Sequence, residues 1–313
     1  MTIALFLADP PENYPPAKDS TRVLMEAAAR RGRSIFVAGH ADLEVRDGRP
    51  IAVARPLSLP GHGGAWFAAG AAVRLDLDEC ETVWFRADPP FDDGYLNATR
   101  IVDLAARPRK INDPAGLRAA GEKLFAMRWP ELAPATLLTA DPAAIRGFLD
   151  EVAGEAVVKP LDGFGGQGIF RLRAGDPNLR ALLQTVTKDA RQPVIVQAYL
   201  AAAAAGDKRI LLWDGAPIGA FLRIPVDGEF RGNMMQGGRV EACDLDAADH
   251  AIIARLGPTL RQHGLRLVGL DVIGGRLTEV NVTSPTGFQE VRTLTGVQSE
   301  DILWDALARE LAA

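Results

Sequence analysis

Short apolar runs alternate with helix-period segments through the first third of the chain. Ile3-Ala4-Leu5-Phe6-Leu7 is a continuous apolar run closed by Asp9-Pro10-Pro11, which reads as a buried first strand. Thr21 to Arg31 spaces its apolar positions as a helix does, Ile35 to Val37 and Thr82 to Phe85 read as strands, and residues 95 to 107 read as a helix stopped by Pro108. Lys110-Ile111-Asn112 then leads into Asp113-Pro114. Strands alternating with helices predict a sheet layered with helices, an α/β arrangement. Ahead of the first helix, Lys18-Asp19-Ser20-Thr21 predicts an N-cap at Asp19 or Ser20, where a short side-chain oxygen accepts from the free amides of the first turn. A substrate carboxylate at that helix start is the functional alternative.

Around residue 120 the texture changes. A helical stretch carrying Lys123 and Phe125 precedes strand-and-loop material to about residue 200, and a third block with one long glycine-rich loop runs to the end. No internal repeat is present, and the five alanines from Ala201 to Ala205 are too few to make a linker. The apolar start lacks a basic segment before it, and no apolar run approaches the roughly 20 residues of a membrane span, so a cytoplasmic protein is expected.

The segment from Val157 to Phe170, Val-Val-Lys-Pro-Leu-Asp-Gly-Phe-Gly-Gly-Gln-Gly-Ile-Phe, contains GxGxxG at Gly163, Gly165 and Gly168. A dinucleotide fingerprint must open a helix, whereas Ile169-Phe170-Arg171-Leu172 is strand-like and ends at Gly175-Asp176-Pro177. No Lys-Ser/Thr pair follows, so it is no Walker A loop. What remains is a glycine hairpin whose bare amides can close over phosphates while Lys159 supplies positive charge. A plain glycine-rich turn is the alternative.

Val268 to Val282 reads as two apolar strands around Gly274-Gly275. Glu279 and Asn281 share a face because strand side chains alternate. Asp271 joins them if the loop is three residues, Gly274 to Arg276, since a two-residue loop sets Asp271 and Glu279 on opposite faces. Three oxygen ligands on one strand pair suit Mg²⁺, which keeps water and phosphates in its remaining positions. The alternative, a solvated acidic face, sits poorly among Val, Leu and Ile.

Lys plus Arg (35) against Asp plus Glu (40) gives a net charge of −5, which argues against a nucleic-acid partner. Cys80 and Cys243 form no metal or disulfide motif. Ile195 to Leu200 is a strand followed by a hinge able to read an adenine edge, and Arg209 opens the next strand where it could meet an oxyanion. Arg223, Arg231 and Arg239 border or occupy a long stretch with Gly228, Gly232, Gly237 and Gly238; a lid or disorder are the two readings, and the arginines favour a lid delivering cations to an anionic site.

Together these pieces describe phosphoryl transfer from Mg-ATP, and here the chain resembles bacterial glutathione synthetases of the ATP-grasp superfamily over nearly its whole length. The resemblance rests on Lys18-Asp19-Ser20, Asp88-Pro89-Pro90-Phe91-Asp92, Glu122-Lys123-Leu124-Phe125, Lys159-Pro160-Leu161-Asp162-Gly163, Gly206-Asp207-Lys208-Arg209, Arg231-Gly232-Asn233 and Thr278 to Thr286. It implies an ATP-grasp fold preceded by an α/β pre-ATP-grasp domain (1–122). Within 123–313 it implies a small nucleotide-covering part (123–200) and a metal- and substrate-binding part (201–313) with a lid over 224–239. It also implies roles. Lys123, Lys159, Asp162, Gly163, Gly165, Gly166, Gly168, Gln197, Tyr199, Leu200 and Asp207 bind ATP. Asp271, Glu279 and Asn281 bind Mg²⁺. Arg209, Arg223 and Arg231 act in catalysis, and Ser20, Asp88, Asn233, Thr283 and Ser284 meet substrate. The implied reaction joins γ-glutamylcysteine to glycine through an acyl phosphate, in a homo-oligomer, with no membrane partner. Another short acid or amine, or a nucleotide-binding protein without turnover, are the alternatives. Two departures bear on specificity: Gln289 stands where the family pattern has Arg, and Met234-Met235-Gln236 replaces a run of small residues.

Overall fold

The computed structural model describes residues 2–15, 17–59, 65–161, 163, 165–226 and 238–312. The first of its three sheets has the strand order Leu43–Arg46, Arg49–Ser58, Ser34–Ala38, Ile3–Leu7, Thr82–Phe85, Arg109–Ile111. The last four strands run parallel. Ile3–Leu7 is buried at every residue, as its unbroken apolar run requires of a strand covered on both faces. From Ile3–Leu7 the chain continues to Ser34–Ala38 on one side, and from Thr82–Phe85 to Arg109–Ile111 on the other. Loops leaving such a pair of strands diverge and open a crevice at their carboxyl ends. Asp9 and the Arg86–Asp88 segment stand there.

Local signals account for most boundaries. Asp19 caps the helix Ser20–Arg30, its Oδ1 accepting from the Arg22 amide at 2.6 Å. The helix expected over 95–107 is Asp93–Asp103; it starts earlier because Asp92 caps it, and it ends before Pro108 acts. Leu43–Arg46 and Arg49–Ser58 form an unanticipated hairpin around Asp47-Gly48, with φ of 51° and 79°. Positive φ at both central residues is the turn that matches strand twist.

The second sheet is antiparallel, ordered Phe170–Arg173, Glu155–Pro160, Val194–Ala198, Thr136–Thr139. Its helices Pro142–Glu151 and Leu179–Val186 close a separate core of Ile145, Leu149, Val158, Leu183 and Val196. The third sheet, also antiparallel, is ordered Arg239–Ala242, Ala216–Ile224, Asp207–Trp213, Leu267–Ile273, Arg276–Asn281. Ile210, Leu212, Val268 and Leu270 pack on one face with Ile252, Leu256 and Leu260 of the helix Ala247–Gln262. Leu211, Trp213 and Leu267 join the core of Phe288 and Trp304. Trp304 also meets Trp84 of the first sheet at 4.8 Å between ring centroids, so the first and third sheets share a core. Phe125, Ala126 and Trp129 belong to that shared packing and not to the core of the second sheet.

Candidate active site

A cavity of about 690 Å³ lies where the three sheets meet, a size suited to nucleotide and small-molecule ligands. Its wall draws on the crevice of the first sheet, the glycine loop and hinge of the second, and the charged strands of the third.

The hairpin of the third sheet settles the loop length on which the position of Asp271 depends. Ile273 pairs with Arg276 and Val272 with Leu277, so the turn has two residues, Gly274 and Gly275, not three. A bulge follows, and Asp271 pairs with Glu279 and Gly269 with Asn281. Thr278 is the extra residue; its hydroxyl donates to the Asp271 carbonyl at 3.1 Å. One added residue restores the register that a two-residue turn alone would reverse. Asp271, Glu279 and Asn281 therefore reach one cavity through a two-residue turn and a bulge in place of a three-residue loop.

Asp271 is 5% exposed and ion-paired. Arg209 Nε and Nη2 donate to its two oxygens at 2.6 and 3.2 Å, and Arg223 Nη2 lies 3.0 Å from Oδ1. Burial alone would raise its pKa, but the two guanidiniums outweigh burial and hold the carboxyl well below the usual carboxylate range. Arg223 also pairs with Asp207, whose pKa burial pushes up to about 6. Asn281 Nδ2 donates to Asp271 Oδ2 at 3.3 Å and to the Gly269 carbonyl at 3.4 Å. Lys123 Nζ lies 3.3 Å from Glu279 Oε1 and donates to the Gly163 carbonyl. Burial raises the Glu279 pKa.

Lys159 projects from Glu155–Pro160 and donates to Gln197 Oε1 at 2.7 Å; burial lowers its pKa. Gln197 in turn donates to Thr136 Oγ1 at 3.2 Å. Beside it the Tyr199 ring lies 3.7 Å from the Arg171 guanidinium, and Leu200 continues along the cavity. The glycine loop connects two antiparallel strands, Val158 facing Phe170. Gly165, Gly166 and Gly168 all hold positive φ, which a Cβ would disfavour.

At the other end, Arg86 and Asp88 face the start of the helix Ser20–Arg30 and residues 283–286. The Asp88 amide donates to Asp9 Oδ2 at 2.8 Å, and Ser284 Oγ donates to the Arg86 carbonyl at 3.1 Å. The Ser20 hydroxyl oxygen accepts from the Gly287 amide at 3.0 Å, and Gln289 Nε2 donates to the Asp19 carbonyl at 2.8 Å. Glu122 Oε1 accepts from the Val282 and Thr283 amides at 3.0 Å and from Thr283 Oγ1 at 2.6 Å.

The fold thus gathers Ser20, Asp88, Lys123, Lys159, Gly163, Gly165, Gly166, Gln197, Tyr199, Leu200, Asp207, Arg209, Arg223, Asp271, Glu279, Asn281, Thr283 and Ser284 around one cavity. Gly168 belongs to the loop without lining the cavity. Asp162, Arg231 and Asn233 lie outside the described residues, as does the middle of the expected lid. Arg239, at the far border of that stretch, pairs with Glu241 at 2.9 Å. Arg86 and Glu122 were missed as site residues. The signal for Arg86 is a charge directly after the apolar run Thr82-Val83-Trp84-Phe85.

The family model for the prokaryotic glutathione synthetase N-terminal domain matches residues 1–118, and that for the prokaryotic glutathione synthetase ATP-grasp domain matches residues 122–296. The chain is 46% identical over 307 residues to a glutathione synthetase of Synechococcus elongatus, covering 95% of each. It is 42% identical over 302 residues to one of Xanthomonas axonopodis pv. citri, covering 96% of this chain and 95% of the relative. Among solved structures, D-cycloserine synthetase DcsG superposes with a TM-score of 0.69 at 18% identity, over 99% of this chain and 100% of that one. The ATP-grasp ligase PsnB, complexed with a minimal precursor, gives 0.62 at 20% identity over 98% of each. These two share the ATP-grasp fold. With both domain models matched in order and 42–46% identity along nearly the whole length, the chain belongs to the prokaryotic glutathione synthetase family.

Proposed function

We propose that this protein is an ATP-dependent carboxylate–amine ligase that joins γ-glutamylcysteine to glycine, giving glutathione, ADP and phosphate. ATP use follows from family membership. The observation that carries the reading is the convergence of Lys123, Lys159, Arg209 and Arg223 with Asp271, Glu279 and Asn281 on one cavity. Activating a carboxylate with ATP brings two anions together, and neutralising their charge is the main task of such a site.

Lys159, the glycine loop and the Gln197–Leu200 hinge are assigned to the nucleotide, and Lys123 to its phosphates. Among the described residues no three His, Cys, Asp or Glu side chains form a metal cage. Two carboxylates and the amide oxygen of Asn281 are nonetheless hard oxygen donors, the chemistry Mg²⁺ takes when water and phosphates complete its shell. Asp271, Glu279 and Asn281 would hold it, and when bound it supplies charge neutralisation to the phosphates. Arg209, which lines the cavity beside Asp271, is assigned to the oxyanion that develops when the glycine amine attacks the acyl phosphate. Thr283 and Ser284 are assigned to the acid substrate. No helix of the described residues is long and apolar enough to cross a membrane; a cytoplasmic homo-oligomer completes the reading.

The test is ADP release coupled to product analysis, with γ-glutamylcysteine plus glycine compared with other short acids and amines. The expected result is the highest kcat/KM for γ-glutamylcysteine and glycine, with glutathione as product. A higher value with another acid overturns the substrate assignment and leaves the ligase chemistry in place.

A further inference from the structure

Arg171 stands three residues beyond Gly168, on the strand Phe170–Arg173 that leaves the glycine loop. Tyr199 lines the cavity directly after the strand Val194–Ala198. Between these two strands runs Glu155–Pro160, so the 3.7 Å approach of the Arg171 guanidinium to the Tyr199 ring centroid crosses the full width of a strand. Register puts the pieces on one face: Arg171 pairs with Val157, Arg173 with Glu155, and Val157 with Gln197. Side chains alternate along a strand and paired residues share a face, so Glu155, Val157 and Lys159 stand with Arg171 and Gln197. That face meets the cavity, which Val157, Lys159 and Gln197 line.

Glu155 binds both partners. Its Oε2 accepts from Arg171 Nη2 at 2.6 Å, and its main-chain carbonyl accepts from the Tyr199 amide at 3.1 Å. Arg173 pairs with the same carboxylate at 3.0 Å, but its side chain is 60% exposed against 25% for Arg171. An exposed ion pair of the Arg173 kind contributes little. Arg171 differs because its cation lies over an aromatic face, where a partly desolvated contact is worth more.

We propose that Arg171 is a positioning residue for the nucleotide: steered by Glu155, it clamps Tyr199 and so holds the Gln197–Leu200 hinge in register with the strand leaving the glycine loop. Arg171 does not line the cavity, so it acts through Tyr199. The proposal rests on the assignment of hinge and glycine loop to ATP and deepens it. One nucleotide spans both, its base at the hinge and its phosphates at the loop. With the clamp made, Tyr199 is ordered before the nucleotide arrives; without it, binding must order the hinge and affinity falls.

The experiment uses the full-length enzyme. Titration calorimetry reads the binding of a non-hydrolysable ATP analogue with Mg²⁺, which needs no acid substrate, and ADP release reads kcat with separate KM values for ATP and γ-glutamylcysteine. Arg171→Met keeps the length of the side chain and removes its charge. It is expected to weaken the analogue and raise the KM for ATP about fivefold, the scale of one partly desolvated cation–π contact, with kcat and the KM for γ-glutamylcysteine unchanged. Arg171→Lys, which keeps a cation, should recover part of that loss. Glu155→Gln leaves the main-chain bond to Tyr199 in place and loosens Arg171, so a smaller rise of the same kind is expected. In a Tyr199→Leu background Arg171→Met should add little, because the ring it acts on is gone.

Unchanged analogue binding in Arg171→Met overturns the proposal; where that variant fails to fold, the Glu155→Gln titration decides alone. A fall in kcat with equal rises in both KM values also overturns it, since that marks a strand that has merely lost support, and so does full additivity with Tyr199→Leu. Lys159→Met tests the underlying assignment separately. If it binds the analogue as wild type does, the nucleotide assignment fails and the clamp falls with it; if it weakens binding while Arg171→Met does not, the nucleotide assignment stands and only the clamp fails.

Discussion

Asn112 is the polar stitch between the first and third sheets, and removing it should cost more than any surface change. It is 3% exposed. Its Nδ2 donates to the Leu267 and Val282 carbonyls at 2.8 Å each, and its Oδ1 accepts from the Arg266 and Leu267 amides at 2.7 and 2.8 Å. Asn112→Ala leaves all four main-chain groups without that partner in a site that little water reaches. At about 1 kcal/mol per lost bond the loss is about 4 kcal/mol. The shared core around Trp84 and Trp304 makes the two sheets melt as one unit. With an unfolding entropy of about 2.1 cal/mol/K per residue, a chain of this length changes by about 0.66 kcal/mol per degree, so the midpoint should fall by about 6 °C. Calorimetry or a dye-monitored melt reads that shift directly. Asn112 does not line the cavity, so the KM values of the folded variant should stay near wild type. A fall of less than about 2 °C would refute the reasoning, because it would mean the four groups find other partners.

Three further outcomes are expected. Asp301 pairs with Arg30 and Arg31 at 2.8 Å, and these bonds outweigh burial to lower its pKa. Its contribution is therefore present above the unfolded carboxylate pKa of about 3.9 and lost as pH falls through the lower folded value. Asp301→Asn should lower the urea midpoint at pH 7, the gap closing in acid; a gap that widens in acid would contradict the sign. Gly168→Ala places a Cβ 2.9 Å from Pro160 Cγ at φ +69°, which should destabilise by about 1 kcal/mol or more and raise the KM for ATP; wild-type values for both would show the loop tolerates the side chain. Glu279→Gln and Asn281→Ala should each need more Mg²⁺ to reach half-maximal ADP release, with melting of the ligand-free protein little changed for Asn281→Ala, and unaltered Mg²⁺ titrations would remove both from the metal set.

Elements with strong local signals were legible from the amino acids alone. Ile3–Leu7 and Thr82–Phe85 are fully buried, and a strand covered on both faces can be read from its unbroken apolar run. The Leu43–Ser58 hairpin had an equally local signal in Asp47-Gly48, but its strands mix Pro, Arg and Glu with Val and Ile. That composition hides the period-two pattern a strand reading depends on. The bulge at Thr278 is of another kind. Counting residues across Gly274-Gly275 admits two registers, and choosing between them depends on whether the pair closes by turn length or by a bulge. The structure uses the bulge, which burial decides: it keeps Leu277, Val280 and Val282 in the core while Asp271 and Glu279 stay opposite.

Arg86 and Glu122 were harder to find for a reason that is spatial. Each acts across a large sequence gap, Arg86 on Pro285 and Glu122 on Val282 and Thr283, and neither shares a helix face or strand face with its partner. Periodicity relates residues within one element, so it cannot register such pairs. Their effects converge on residues 282–285. Glu122 fixes the amides of Val282 and Thr283, Asn112 holds the Val282 carbonyl, and the Arg86 guanidinium holds the Pro285 carbonyl while the Arg86 main-chain carbonyl accepts from Ser284 Oγ. The segment that follows Asn281 is thus held by three side chains from outside the third sheet. The N-terminal part of the chain, with no nucleotide motif of its own, thereby shapes the end of the cavity at residues 283–286: without it, the strand carrying Glu279 and Asn281 would continue into a loop whose polar groups had no fixed partners.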